Sequence, residues 1–148
     1  MHSFSSSLHH CVFATKEREI WLTPEIRERL LPYFGGIARE HGMKALAIGG
    51  VVDHVHIRLS LPATMSISKA MQLLKGNSSK WIHENFPALR QFAWQEGYGA
   101  FSIGISGIGE TWSYIRGQEE HHRTTTYREE VTTFLQRHGL PIDDVMLD

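Results

Sequence analysis

The chain has 148 residues and a mass of 16.9 kDa, one domain by length and enough to bury about two-thirds of its unfolded surface in a single core. Hydrophobic residues make up 41% and charged residues 21%, which excludes a disordered or fibrous chain, and the net charge of −1 argues against a protein that coats nucleic acid by bulk charge. The longest apolar run, 45–52, is far short of the roughly 20 residues that span a bilayer, no export signal opens the sequence, and the single Cys11 fits a reducing compartment, so a cytoplasmic protein without membrane attachment is expected. Charge is unevenly placed. Residues 54–83 hold Arg58, Lys69, Lys75 and Lys80 with no acid, whereas the last ten hold Asp143, Asp144 and Asp148 with no base. A local phosphate-binding face is compatible with that pattern.

In chain order, Leu8 to Thr15 alternates in the manner of a strand. Thr23-Pro24 reads as an N-cap and first turn, followed by Ile26, Leu30, Phe34 and Ile37 at helical spacing up to Gly42. Lys44 to Leu61 is strand-like except at Gly49-Gly50 and Asp53, which predicts two antiparallel strands joined or bulged there. Ser66 opens a second helix with Ile67, Met71, Leu74 and Trp81 on one face, ending by Pro87, and strand-like alternation returns over Phe92 to Ile105. A helix over about 110–122 and a last helix over about 127–138, opened by Thr126-x-x-Glu129, complete the chain.

The order β-α-β-β-α-β predicts an α+β fold, the ferredoxin-like split βαβ: an antiparallel sheet with two helices on one face and the other face open for function. On this reading residues 1–148 form one domain, with a core of about 8–105 and the two later helices added to it.

His54-Val55-His56 places two imidazoles on one face of a strand, about 7 Å apart, while Val55, Ile57 and Leu59 point into the core. Two such rings can share a divalent cation, yet ten histidines in the chain would give roughly 0.7 such pairs by chance. Tyr114 and Gln118 stand four apart on one helix face, with His121 and His122 a turn on. A tyrosine hydroxyl can attack phosphorus, and a carboxamide oxygen beside it can complete a metal site; a surface helix with a tyrosine at the rim of the core is the plain alternative.

These motifs, in this order, with Leu73-Leu74-Lys75-Gly76, the run Trp94-Gln95-Glu96-Gly97-Tyr98-Gly99-Ala100-Phe101-Ser102 and the helical Tyr114-Ile115-x-x-Gln118, resemble the single-tyrosine HUH transposases, a family that includes insertion-sequence and REP-associated tyrosine transposases. The resemblance spans about residues 8–139. It implies a prokaryotic metal-dependent enzyme that cuts and rejoins single-stranded, hairpin-containing DNA through a 5′-phosphotyrosine. Carried over by position, Tyr114 is the nucleophile and His54, His56 and Gln118 bind Mg²⁺ or Mn²⁺. It also implies a homodimer with active sites that two chains can share, and Gly107 and Gly109 before the tyrosine helix suit such an exchange. Lys75, Lys80, Arg58 and Arg116 are the candidate DNA contacts, with Trp94 and Tyr98 as stacking surfaces, although Trp94 equally suits the core. His9, His10, His83, His121 and His122 read as structural or DNA-proximal.

Three other readings compete. A single-strand-binding module is also built on such a sheet, but the aromatic strand signature of RNA-recognition domains is absent. A metallohydrolase with a His-x-His pair is usually a barrel of about 250 residues. A transposase recruited by its host, or reduced to binding, shares the fold, and the intact Tyr114, His54, His56 and Gln118 weigh against loss of cleavage.

Overall fold

The computed structural model describes residues 5–104, together with Glu129 and Thr132. Four strands and two long helices follow in the order β1 (Leu8–Ala14), α1 (Pro24–Glu40), β2 (Lys44–Gly50), β3 (His54–Ser60), α2 (Ile67–Asn85) and β4 (Gly99–Ser102). All pairings are antiparallel and the sheet order is β2-β3-β1-β4, the split βαβ arrangement expected from the sequence. The predicted tyrosine helix lies outside the described residues; of the last predicted helix only Glu129 and Thr132 are described, both helical.

Each helix starts where its cap dictates. The Thr23 hydroxyl accepts from the Ile26 N–H with Pro24 in the first turn, and the Ser66 hydroxyl accepts from the Lys69 N–H at 3.1 Å. From α1, Ile26, Leu30, Phe34 and Ile37 are buried as their spacing predicts, and Gly42 ends the element at φ 79°. On α2, Ala70, Met71, Leu74, Ser78 and Ile82 face inward. Trp81 sits at the edge instead, stacked on Tyr33 of α1 with ring centroids 4.8 Å apart. Both helices pack on the sheet face that presents Cys11, Phe13, Val55, Ile57 and Leu59, and these form one apolar core.

The sequence leaves a join or a bulge open near Gly49-Gly50 and Asp53, and the structure has a join over residues 51–53. Gly50 pairs with Val55, and a Cβ on Gly50 would stand 3.0 Å from the His54 carbonyl oxygen. An irregularity between Ala45 and Ala47 leaves Leu46 as the extra residue of β2.

The last strand differs from the expectation. Alternation over Phe92 to Ile105 predicts one continuous strand, whereas β4 is four residues and pairing resumes only at an isolated bridge between Trp94 and Thr15. From Val12 to Thr15 the chain advances three residues, while the facing segment advances five, from Gly99 back to Trp94. The surplus is a bulge that turns at Gly97, φ 85°. Lys75 holds it, its ammonium donating to the carbonyls of Gln95 at 2.7 Å and Gly97 at 2.8 Å.

Candidate metal and strand-transfer site

Alternation along β3 sends His54, His56 and Arg58 to the face opposite the helices, where β1 contributes His10 and Val12 and β4 contributes Gly99 and Phe101. The register sets Val12 opposite His56, His10 opposite Arg58, and Phe101 opposite His10 on the other side. His54 and His56 are wholly buried and His10 and Arg58 nearly so, at 3% and 2%.

The two HUH imidazoles lie edge to face with centroids 5.1 Å apart, nearer than the strand spacing alone implies because the rings incline toward each other. Each is tied through its Nδ1. His54 Nδ1 is 2.7 Å from Asp53 Oδ1, and His56 Nδ1 is 2.8 Å from His10 Nε2. A carboxylate only accepts, so the His54 proton resides on Nδ1 and the lone pair of the neutral ring on Nε2. Asp53 is held in turn by its backbone: its carbonyl accepts from the Thr15 N–H at 2.9 Å, at the end of β1.

This chemistry fits a divalent cation. Metal-binding histidines characteristically give their other ring N–H to a carboxylate or similar acceptor, which fixes the tautomer and raises the ring's basicity. Among the described residues no group of three or more His, Cys, Asp and Glu converges on a point, so this part of the chain offers two imidazoles. Gln118, Tyr114 and Arg116 lie outside the described residues, as do the glycines at 107 and 109.

The remaining sequence candidates divide by face. Arg58 shares the face of the histidines. Lys75 and Lys80 are on α2, across the sheet from the pair; Lys80 is exposed and Lys75 is engaged with the bulge. Partial burial lowers the Lys75 pKa, while nearby Glu96 acts in the opposite direction. Trp94 takes the core position: it packs edge-on to Phe13 and Phe92, with its indole N–H donating to the Ser78 hydroxyl at 2.9 Å. Tyr98 is half-buried at the core's margin, just before β4.

Sequence reasoning missed the tie from His10 to His56, which depends on cross-strand register. It also passed over Asp53 as a partner of His54, although the two are adjacent in the chain.

The fold and the paired histidines are those of a transposase domain. The sequence matches the IS200-like transposase family over residues 3–118, and the chain belongs to that family. It is 30% identical over 121 residues to the transposase of insertion sequence IS200 from Salmonella typhimurium, covering 78% of each chain. Two solved structures share the fold. A Deinococcus radiodurans R1 protein assigned as a transposase superposes with a TM-score of 0.67 at 24% identity, over 80% of this chain and 95% of the other. A REP-associated tyrosine transposase bound to a REP hairpin gives 0.58 at 17%, over 82% and 74%. No helix among the described residues is long and apolar enough to cross a membrane.

Proposed function

We propose that this transposase cuts and rejoins single-stranded DNA with the Tyr114 hydroxyl as nucleophile and with His54, His56 and Gln118 holding Mg²⁺ or Mn²⁺. The observation that carries the reading is the buried His54–His56 pair on the sheet face opposite α1 and α2, with Asp53 Oδ1 2.7 Å from His54 Nδ1. Softer nitrogen donors favour Mn²⁺ over Mg²⁺ in this set. A bound cation would offset phosphate charge and stabilise the departing 3′ oxygen.

Tyr114 Oη attacks the phosphorus, the Oη–P bond forms and the P–O3′ bond breaks. The electron pair leaves with O3′, which gains a proton as the phenol loses one. The 3′ hydroxyl of a second strand reverses the exchange, one phosphoester replacing another, so no nucleotide cofactor is consumed. A hairpin-bearing strand is the proposed substrate, supported by the hairpin in the REP-associated relative of this fold. Lys80, Arg116 and Tyr98 are the proposed DNA contacts, with Lys75 and Trp94 shaping the segment that leads to β4; Arg58, at 2% exposure, lines the histidine face beneath the surface instead of reaching the strand directly.

Wild-type protein mixed with a labelled hairpin-containing single strand and Mn²⁺ should yield a protein–DNA adduct that survives denaturing electrophoresis. Tyr114→Phe should give none while still binding the strand. An adduct that persists in that variant assigns the nucleophile elsewhere, with Tyr98 and Tyr127 the next tyrosines to replace. The proposed assembly is a homodimer in which Tyr114 of one chain serves the histidines of its partner. Mixing dimeric, subunit-exchanging Tyr114→Phe and His54→Ala/His56→Ala proteins should then restore some cleavage, because one site of each heterodimer is intact. No recovery under those conditions means that each site is built within one chain.

A further inference from the structure

The contact between His10 and His56 has a chemical consequence for the metal site. Its two ring nitrogens are 2.8 Å apart, and a hydrogen bond between neutral imidazoles needs one donor and one acceptor. In one arrangement His56 Nδ1–H donates to His10 Nε2, which places the His56 lone pair on Nε2. In the other, His10 Nε2–H donates to His56 Nδ1, and His56 then carries its proton on Nε2. His10 occupies the Nδ1 side in both, so only the first arrangement gives His56 a nitrogen that can bind a cation.

We infer that His10 is a positioning residue that keeps the His56 proton on Nδ1 and so presents the Nε2 lone pair beside His54. The inference rests on the metal-site reading above. Three observations beyond the distance support the contact as a hydrogen bond, and the metal-site reading sets its direction. The rings are tilted by 45° with centroids 5.0 Å apart, which excludes flat stacking as the reason for the contact. Both residues are buried, so the bond competes little with water. The β1–β3 register sets His10 diagonal to His56 on the same face, on a central strand rather than a loop.

The two histidines are thereby oriented by unlike partners. A carboxylate serves His54 and a second imidazole serves His56.

The first test needs neither metal nor substitution in the protein measured. Long-range ¹H–¹⁵N spectra of the metal-free wild type at about pH 8, where histidine is ordinarily neutral, report which nitrogen of each ring carries the proton. A His56→Gln spectrum identifies the His56 signals. A proton on His56 Nδ1 is expected; a proton on Nε2 overturns the inference. The second test compares His10→Gln, whose side-chain oxygen can accept from His56 Nδ1–H near the place of the lost Nε2, with His10→Leu, which has no acceptor.

Mn²⁺ affinity, followed by electron paramagnetic resonance, should fall about 10- to 100-fold in His10→Leu and stay near the wild-type value in His10→Gln. Equal affinity in the folded leucine variant overturns the inference. If that variant does not fold, the wild-type spectrum and the glutamine variant decide, since a folded His10→Gln with a displaced His56 proton and wild-type affinity also contradicts it. Wild-type protein that binds no Mn²⁺ overturns the metal-site reading instead, and the tautomer spectrum distinguishes the two failures.

Discussion

The two faces of β3 are equally buried and are built on opposite principles. Toward the helices, Val55, Ile57 and Leu59 meet Cys11 and Phe13 in a core held by apolar packing. Away from them, His54, His56 and Arg58 lie with His10, each as inaccessible as a core residue though polar. Burial alone therefore does not mark a residue as core. What separates the faces is that His54 and His56 are each hydrogen-bonded through Nδ1, and those bonds also determine what the opposite ring nitrogen can do. One face sustains the fold, and the other uses that rigidity to hold chemically useful groups.

Substitutions on the two faces should separate stability from activity. The largest expected effect on activity is His56→Asn, whose side chain keeps a polar atom near the place of Nδ1 and loses Nε2. Metal-dependent strand cleavage should fall to background while the thermal transition stays close to wild type. The mirror experiment is Ile57→Ala, one residue along, which should cost about 2–5 kcal/mol in denaturant unfolding and leave cleavage measurable in whatever fraction remains folded. A His56→Asn protein as destabilised as Ile57→Ala would erase the distinction between the faces.

Gly99→Ala probes the histidine side at the sheet's edge. A Cβ there would stand 2.8 Å from Val12 Cγ1 and 3.1 Å from the Phe101 ring, and Val12 is buried and branched, with little room to yield. Overpacking of this kind should cost about 1–3 kcal/mol by the same unfolding measurement. Lys75→Met should cost about 1–2 kcal/mol, because the carbonyls of Gln95 and Gly97 lose a charged donor. If Lys75 acted only on DNA, its replacement would weaken strand binding with no change in unfolding.

The smallest expected effect is at Cys11, in the apolar core. Burial pushes its thiol up to about 12 from an ordinary value of 9.0. The sign follows: the folded state retains this proton where the unfolded chain releases it, so its contribution to stability falls as pH rises above 9.0. Below that range the thiol is protonated and inert. Iodoacetamide at about pH 8 should label Cys11 only after denaturation, and rapid labelling of native protein would mean that the core opens.

Much of this architecture is legible in the sequence because periodicity reports on one element at a time. The spacing of Ile26, Leu30, Phe34 and Ile37, and the alternation that divides His54 and His56 from Val55 and Ile57, each need only a local pattern. Such patterns led to the α+β fold and the shared face of the histidine pair. They did not reveal the bulge before β4, where Trp94 and Phe101 look like parts of one strand until the turn at Gly97 and the hold of Lys75 are known. His10 was illegible for a related reason. Its partner is 46 residues away, and only the pairing of β1 with β3 brings the rings together. Asp53, next to His54, was legible in principle, since an acid adjoining a candidate ligand histidine is a local signal.

The most direct test of the metal site is diffraction from crystals of the full chain soaked in Mn²⁺, with data collected at the manganese absorption edge. One anomalous peak is expected at bonding distance from Nε2 of both His54 and His56, with Asp53 and His10 still on the Nδ1 sides. Manganese bound by the Asp53 carboxylate, or anywhere that leaves the two Nε2 atoms uncoordinated, would contradict it.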